Sequence, residues 1–358
     1  MTNTLKWHDF LKTQGAQFKN NTVEHFGNLD AERKAVISQD VLCDLTHLGF
    51  ISAAGDDAQK FLQNQLSNDI NQVSEQRSQL NAYCTAKGRA LALFRVYRFH
   101  DNYYLQLPVE RIEAALKRLR MFVLMSKVKL QDATGQWLAF GLAGPTAAQR
   151  LQTITPSIPS QDDACSSTDN LLITKIRGRP ARYIIAGDYD SITTAWNTLK
   201  HNAVLCGNPA WSYLDIQAGV PQIYNENVEE FVPQMLNLHS IDGISFQKGC
   251  YPGQEVVARM HYLGKLKRRM YLAHTASDQP PRAGDLLFNV DDQSEQGIGR
   301  VVQAQAAPNG GYDLLAVLQI ANAQTGQVHL FKPDGPALSL QELPYTVALE
   351  REDKPAKI

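Results

Sequence analysis

The sequence lacks the features that would place it at once in a nucleic-acid-binding or metal-binding class. Its formal net charge is −1, so no overall positive field attracts nucleic acid or membrane, and such a contact would need a local patch. The five cysteines form no C-x-x-C pair and the nine histidines form no H-x-x-x-H motif, which argues against a zinc ribbon or a self-contained iron–sulfur site. We propose no metal site, and we expect reduced thiols at Cys43, Cys84, Cys165, Cys206 and Cys250.

Long hydrophobic runs are also missing. No apolar stretch approaches the length of about 20 residues that a membrane-spanning helix needs. The N-terminal residues MTNTLKWHDFLKTQG lack the basic start and apolar block of a signal peptide. The sequence therefore predicts a cytoplasmic protein without a membrane partner.

The length of the chain indicates more than one folded part. It has 358 residues, 44% of them apolar and 20% charged, which is ordinary for a globular protein of two or three domains. Helical and strand patterns alternate up to Gly264; the short strands that follow are separated by Gly, Pro, Asn and Asp, without a helix. We predict an α+β fold with a helical extension (residues 1–40), two α+β parts (41–135 and 136–260) and a small C-terminal antiparallel β-barrel (265–350).

The most unusual stretch is FQKGCYPGQE, residues 246–255. Gly249 and Gly253 permit positive φ and Pro252 fixes one torsion, so the stretch is predicted to form a bend that carries Cys250. The nearby cations of Lys248 and Arg259 favour a thiolate, which is the reactive form of cysteine. Cys250 is therefore a candidate functional thiol; the alternative is a small buried residue in a tight turn.

A second candidate site lies in AWSYLDIQ, residues 210–217. Alternation in this stretch predicts a strand that presents Trp211 to a pocket. Asp215 and Gln217 would then lie on one face, where they could hold the amide and amine edges of a heterocycle. The alternative is a core tryptophan with two solvated polar residues.

A local positive patch follows in RMHYLGKLKRRM, residues 259–270. Basic residues with an interleaved aromatic suit a phosphate backbone or a polyglutamate tail. The alternative is a solvated strand that leads into the barrel. The residues concerned are Arg259, His261, Tyr262, Lys265, Lys267, Arg268 and Arg269.

The order of four segments resembles the YgfZ-type folate-binding proteins, relatives of the glycine-cleavage aminomethyltransferase (T-protein). The segments are FLQNQLSNDI, AYCTAKGRALALFRVYR, LDIQAGVPQ and FVPQMLNLHSIDGISFQKGCYPGQEVVAR. The resemblance covers about residues 40–350. It implies a three-domain cloverleaf around a central folate-binding hole, built by the parts at 41–135 and 136–260, with tetrahydrofolate or a derivative as cofactor. It also implies a cytoplasmic role in maintaining iron–sulfur enzymes, including those that thiolate tRNA.

The resemblance assigns roles to individual positions. In the family signature Cys250 is the thiol needed for activity, and Trp211 falls where the family places a folate-contacting tryptophan. A second such tryptophan falls near Leu48. Gln217 stands where the family has a glutamate, so this chain has no carboxylate at that position. The nearby carboxylate of Asp215 could take its place. The other matching positions are Lys248, Gly249, Tyr251, Gly253, Gln254 and Glu255 of the signature, and Lys87, Gly88 and Arg89 of a K-G-R turn.

The same turn bears on enzyme activity. The aminomethyltransferase carries G-G-x-x-D-D near this point, where an aspartate assists catalysis, whereas this chain has Leu91 and Ala92. Methylene transfer is therefore expected to be absent or altered. Three hypotheses stay open: a folate-binding accessory protein of iron–sulfur assembly or repair, a folate-dependent aminomethyltransferase-type enzyme, and a tRNA-binding module. The last would use Arg259, Lys265, Lys267, Arg268 and Arg269.

Overall fold

The computed structural model describes residues 3–262, 264, 266–290 and 297–347. None of the described helices has both the length and the hydrophobicity needed to cross a membrane. The helices are α1 (Asn3–Thr13), α2 (Leu29–Ser38), α3 (Ala58–Gln63), α4 (Ile112–Arg120), α5 (Ala147–Leu151), α6 (Tyr189–Leu199), α7 (Asn208–Gln217), α8 (Gln254–Tyr262) and α9 (Ile320–Thr325).

The strands fall into one hairpin and three larger sheets. They are β1 (Gln17–Lys19), β2 (Thr22–His25), β3 (Val41–Asp44), β4 (Leu48–Ala54), β5 (Gln79–Cys84), β6 (Ala90–Phe99), β7 (Asn102–Pro108), β8 (Lys129–Asp132), β9 (Leu138–Ala143), β10 (Cys165–Ser167), β11 (Leu171–Ile176), β12 (Arg182–Gly187), β13 (Val204–Cys206), β14 (Arg268–Thr275), β15 (Leu286–Asn289), β16 (Gly299–Ala306), β17 (Tyr312–Gln319), β18 (Val328–Leu330) and β19 (Leu338–Gln341).

The first large sheet has the strand order β5-β6-β7-β4-β8. Its centre is a hairpin, in which β6 and β7 pair antiparallel across a turn at His100 and Asp101. The amphipathic helix α4 packs on the sheet through Ile112, Leu116 and Leu119, all of which are buried. This sheet and its helices form one hydrophobic core.

The second large sheet has the order β10-β11-β12-β9-β3-β13. Strand β3 comes from the part predicted at residues 41–135, yet it pairs antiparallel with β9 and parallel with β13. The two α+β parts are therefore interleaved rather than consecutive, because β3 completes the sheet of the second part. Chain order alone could not place the strand there.

The N-terminal segment contains more than the predicted helices. Between α1 and α2 lies a β-hairpin of β1 and β2 that the sequence did not predict. Trp7 and Leu11 of α1 are fully buried, and the Trp7 indole N–H donates to the Asp44 carboxylate at 2.9 Å. The segment is thus part of the hydrophobic core beside the second large sheet and does not form a separate extension.

The C-terminal strands form a curled antiparallel sheet in the order β18-β15-β16-β17-β14-β19. A single bridge between His329 and Ala337 links the two outer strands, and closure of a complete barrel stays a prediction. The expectation that no helix interrupts these strands is wrong, since α9 follows β17. Residues 265, 291–296 and 348–350 of the predicted barrel lie outside the described residues.

Candidate functional site

The K-G-R turn and the bend after Cys250, far apart in sequence, pack against each other. Gly253 has φ +82°, and a Cβ there would lie 2.4 Å from the Thr85 carbonyl oxygen and 2.7 Å from the Gly88 Cα. Gly88 has φ +72° and faces Val256 and the Gly253 carbonyl. Glycine is thus required at both positions by backbone conformation and by close approach.

The prediction for the other glycine of the bend is not supported. Gly249 does not adopt positive φ, and a Cβ there would meet nothing within 4 Å. Only Gly253 therefore supplies the left-handed residue of the bend. Pro252 and Gly253 form the turn that leads directly into α8.

Lys248 anchors the loop on the other side of Cys250. Its ammonium donates to the carbonyl oxygens of Gln63 (2.6 Å), Leu66 (2.6 Å) and Asn68 (2.8 Å). It also lies 5.3 Å from the centre of the Tyr251 ring, which is buried. Burial lowers the pKa of Lys248 to about 8. All three of its donors are directed to backbone carbonyls, so the geometry makes Lys248 a clamp for the loop.

The clamped loop carries an exposed thiol. Cys250 is exposed, whereas Cys43, Cys84, Cys165 and Cys206 are buried, and burial raises the pKa of Cys84 to about 12. Only Cys250 of the five is therefore open to a solvent-borne reactant.

The neighbours of Cys250 in the motif have separate placements. Gln254 opens α8, and its amide donates to the Lys248 carbonyl at 3.4 Å. Glu255 is exposed in the first turn of that helix, and Arg259 is exposed nearer its end. The motif thus combines a rigid support with a solvent-facing side.

The second candidate site contains a correction. Residues 210–217 were predicted as a strand, but they belong to α7 (Asn208–Gln217), which begins with Pro209 in its first turn. A helix turns 100° per residue, so Asp215 and Gln217 point in different directions instead of sharing a face. The alternation of Trp211 and Tyr213 with apolar neighbours fits both periods over so short a stretch.

Trp211, Leu48 and Asp215 nevertheless line one cavity. Trp211 is only 1% exposed. The close approach of its ring to Gly141 leaves no room for a Cβ there, and the Arg182 guanidinium lies 5.2 Å from the ring centre. The tryptophan is therefore packed between β9 and Arg182 rather than presented as an open platform.

Three polar residues in the cavity were missed by the sequence analysis. Arg182 donates to the Asp215 carboxylate at 2.8 Å, and burial raises the pKa of Asp215 despite this pairing. Arg95 pairs with Asp163, and the Gln106 side-chain nitrogen is buried without a hydrogen-bond partner among the described residues. Arg95, Gln106 and Arg182 stand on β6, β7 and β12, and no local motif joins them. For Arg95, the sequence signal that could have indicated a functional site was a charged residue inside the largely apolar strand β6.

The remaining predicted ligand-binding residues lie outside this cavity lining. The Gln217 amide donates to the Asp313 carboxylate of β17 at 2.7 Å, so it links α7 to the C-terminal sheet. Lys87 is exposed at the K-G-R turn. Arg89 donates to the Glu230 carbonyl at 2.6 Å. Their predicted role in folate binding stays a prediction.

The described part of the positive patch is largely open to solvent. Arg259, Lys267 and Arg268 are exposed, and the Arg269 guanidinium lies 4.7 Å from the centre of the Tyr271 ring. Lys265 lies outside the described residues. Within the described ranges, no group of three or more His, Cys, Asp or Glu side chains could hold a metal ion.

Comparison with known proteins supports the resemblance. Residues 7–183 match the family model of the GCVT N-terminal domain. A protein of Colwellia psychrerythraea named tRNA-modifying protein YgfZ is 32% identical over 320 residues, which cover 88% of this chain and 96% of the relative. This chain belongs to the YgfZ family. A Photorhabdus laumondii protein of the same name is 30% identical over 313 residues, which cover 87% of this chain and 94% of that protein.

A solved structure shows that the fold of this YgfZ-family chain resembles that of the T-protein. Aminomethyltransferase T of the glycine cleavage system from Bartonella henselae matches with a TM-score of 0.75. The match covers 97% of this chain and 98% of that chain at 17% identity. The likeness confirms the mixed α+β architecture, while the three-domain division stays a prediction.

Proposed function

We propose that this chain is a folate-binding accessory protein of iron–sulfur cluster assembly or repair, and that it supports enzymes that thiolate tRNA. The observation that carries the proposal is the setting of Cys250. It is the exposed thiol of the five, on a loop fixed by Lys248 on one side and by the contact of Gly253 with Gly88 on the other. Curated relatives named tRNA-modifying protein YgfZ point the same way.

The cavity beside Trp211 suits a pterin in chemistry but not in size. Arg95, Gln106, Arg182 and Asp215 supply donors and acceptors of the kind that a pterin and its amide groups require. The cavity volume is about 30 Å³, whereas sites for small molecules usually measure about 300–1,000 Å³. A folate therefore does not fit the cavity in this conformation, so its binding requires the residues that line the cavity to rearrange.

The aminomethyltransferase hypothesis is less well supported. Leu91 and Ala92, which stand roughly where the transferase has its carboxylates, are 8% and 1% exposed in an apolar core. A carboxylate that assists methylene transfer is thus missing at these positions. Assay of methylene transfer from a lipoyl-bound aminomethyl group to reduced folate separates the two hypotheses, and we expect no turnover.

Contact with tRNA is the second candidate function, and the solvent exposure of Arg259, Lys267 and Arg268 favours it. Three exposed cations within ten residues suit a phosphate backbone. Such a contact is compatible with the accessory role, because the enzymes served would act on the same RNA.

The proposal is tested in a deletion strain. Wild-type protein should restore tRNA thiolation and iron–sulfur enzyme activity, and Cys250→Ala should restore neither. Calorimetry with tetrahydrofolate on the pure protein tests the cofactor separately, and absence of a signal at millimolar folate contradicts folate binding.

A further inference from the structure

A stripe of aromatic and cationic side chains extends from the end of α8 to the start of β14. At the α8 end, Phe246 stacks on His261 with ring centres 3.7 Å apart and planes inclined by 10°. Tyr262 meets His261 edge-on, with ring centres 4.8 Å apart, and is 64% exposed. An exposed ring that rests on two further rings is a ready surface for stacking a planar ligand.

The β14 end of the stripe contains a cleft of about 590 Å³. It opens beside the start of β14, where the segment that follows β19 diverges from this strand. The last pair between the two strands is Leu272 with Gln341, and residues 342–347 beyond it form the opposite wall. This volume lies within the usual range of about 300–1,000 Å³ for small-ligand sites.

The cleft carries a second aromatic surface and a donor without an acceptor. Arg269 lies over the Tyr271 ring, with the guanidinium 4.7 Å from the ring centre. The Arg269 Nε is buried and has no hydrogen-bond partner within the described part of the chain. Glu342 is the carboxylate among the lining residues, and a carboxylate supplies hydrogen-bond acceptors only. A planar ligand with acceptors and amino groups matches this set.

One segment holds both ends of the stripe in place. The Gln234 amide donates to the Val257 carbonyl of α8, and the Asn237 amide donates to the Met270 carbonyl of β14 at 2.9 Å. Lys267 and Arg268 lie between the two ends and are exposed. The aromatic surfaces and the cations therefore follow one another along the chain, and both ends are tied to the segment at residues 234–237.

We propose that this stripe binds an unpaired segment of RNA. One base stacks on Tyr262, and a second nucleotide enters the cleft beside Tyr271 and Arg269. The phosphates between them face Lys267 and Arg268. Stacking of this kind requires bases that are free of a helix, so the ligand is a loop or an end rather than a duplex stem. The inference deepens the proposed tRNA-related function and rests on it for its biological setting.

RNA bound at this stripe would lie close to the loop that carries Cys250. Helix α8 has nine residues, a length of about 13 Å, and begins four residues after Cys250. RNA held at the Tyr262 end of the helix thus lies within about 13 Å of the Gln254 end.

Fluorescence anisotropy with a labelled 12-nucleotide oligouridine tests the proposal. Tyr262→Ala should weaken binding about tenfold, the loss expected when one base–aromatic stack is removed, and Tyr262→Phe should bind as wild type does. The double change Lys267→Glu and Arg268→Glu should weaken binding and reduce its salt dependence. The matched control is Lys34→Glu, which reverses an exposed charge on α2 and should change nothing.

Either of two affinities would overturn the proposal: equal affinity for a 12-base-pair RNA duplex, or wild-type affinity of Tyr262→Ala for oligouridine. A fall in binding that accompanies a lowered melting temperature in Tyr262→Phe would do the same, since the site would then be structural. Oligouridine needs no folate and no thiolation enzyme, so this result is independent of the rescue experiment. Failure of the rescue would refute the proposed function and leave the RNA site standing.

Discussion

Replacement of Gln217 by Glu restores the residue that the family has at this position, yet the structure predicts that it will harm the protein. The Gln217 amide donates to Asp313 Oδ2 at 2.7 Å, and Asp313 is 5% exposed. Gln217→Glu removes a hydrogen bond to a charged acceptor, worth about 1.5–3 kcal/mol. It also places two carboxylates in contact, with a repulsion of up to about 4 kcal/mol at an effective dielectric constant of 20.

Part of this repulsion is offset, because His274 pairs with the other Asp313 oxygen at 2.7 Å and Gln217 is only partly buried. We expect a net loss of about 2–4 kcal/mol in the free energy of unfolding. At about 2–4 °C per kcal/mol this lowers the melting temperature by about 4–16 °C at pH 8. The neighbouring carboxylate raises the pKa of the introduced carboxyl above its unfolded value, so the deficit should shrink as the pH falls from 8 to 5.

The measurement is differential scanning calorimetry of wild type, Gln217→Glu, Asp313→Asn and the double variant. The double variant again opposes one carboxylate to one amide, so it should recover most of the stability that Gln217→Glu loses. Folate affinity should not change, since Gln217 does not line the cavity beside Trp211. An unchanged melting temperature, or tighter folate binding by Gln217→Glu, would refute the reasoning.

Three further predictions concern the Cys250 loop. Gly253→Ala should abolish rescue of the deletion strain, because φ is +82° and a Cβ would meet the Thr85 carbonyl oxygen at 2.4 Å; Gly249→Ala, where nothing lies within 4 Å, is the matched control and should rescue fully. Burial lowers the pKa of Lys248 from 10.5 to about 8, so folding releases a proton in this interval and wild-type stability should rise relative to Lys248→Met between pH 8 and 10; a stability difference that stays constant across that range would contradict the lowered pKa. Native protein treated with iodoacetamide should be alkylated first at Cys250, since the other four thiols are buried; mass spectrometry that finds another cysteine modified earlier would contradict the exposed setting.

The sequence predicted local structure best where one period dominates. In α4 the spacing of Ile112, Leu116 and Leu119 fits a helix rather than a strand, and all three are buried on one side of that helix. Residues 208–217 are too short and too evenly apolar to decide between a strand and a helix, and the signal that was overlooked is Pro209 in the first helical turn.

The site was predicted as separate motifs, but its assembly was not. The signature around Cys250 and the K-G-R turn are both distinct in the sequence, whereas the contact of Gly253 with Gly88 depends on how the first sheet folds. Likewise, Lys248 was expected to act on the thiol, and its bonds to the carbonyls of Gln63, Leu66 and Asn68 could not be foreseen. Such contacts join residues about 180 positions apart, and no local pattern encodes them.

The central claim is that the protein acts through the Cys250 thiol, and the most direct test is the thiolated fraction of tRNA in a deletion strain that expresses Cys250→Ser. Serine keeps the size of the side chain and removes the ionisable sulfur, and the exposed position should leave the melting temperature unchanged. The account predicts thiolation at the level of the empty vector, with protein abundance equal to wild type. Thiolation at the wild-type level would contradict it, as would a loss of stability large enough to explain the defect.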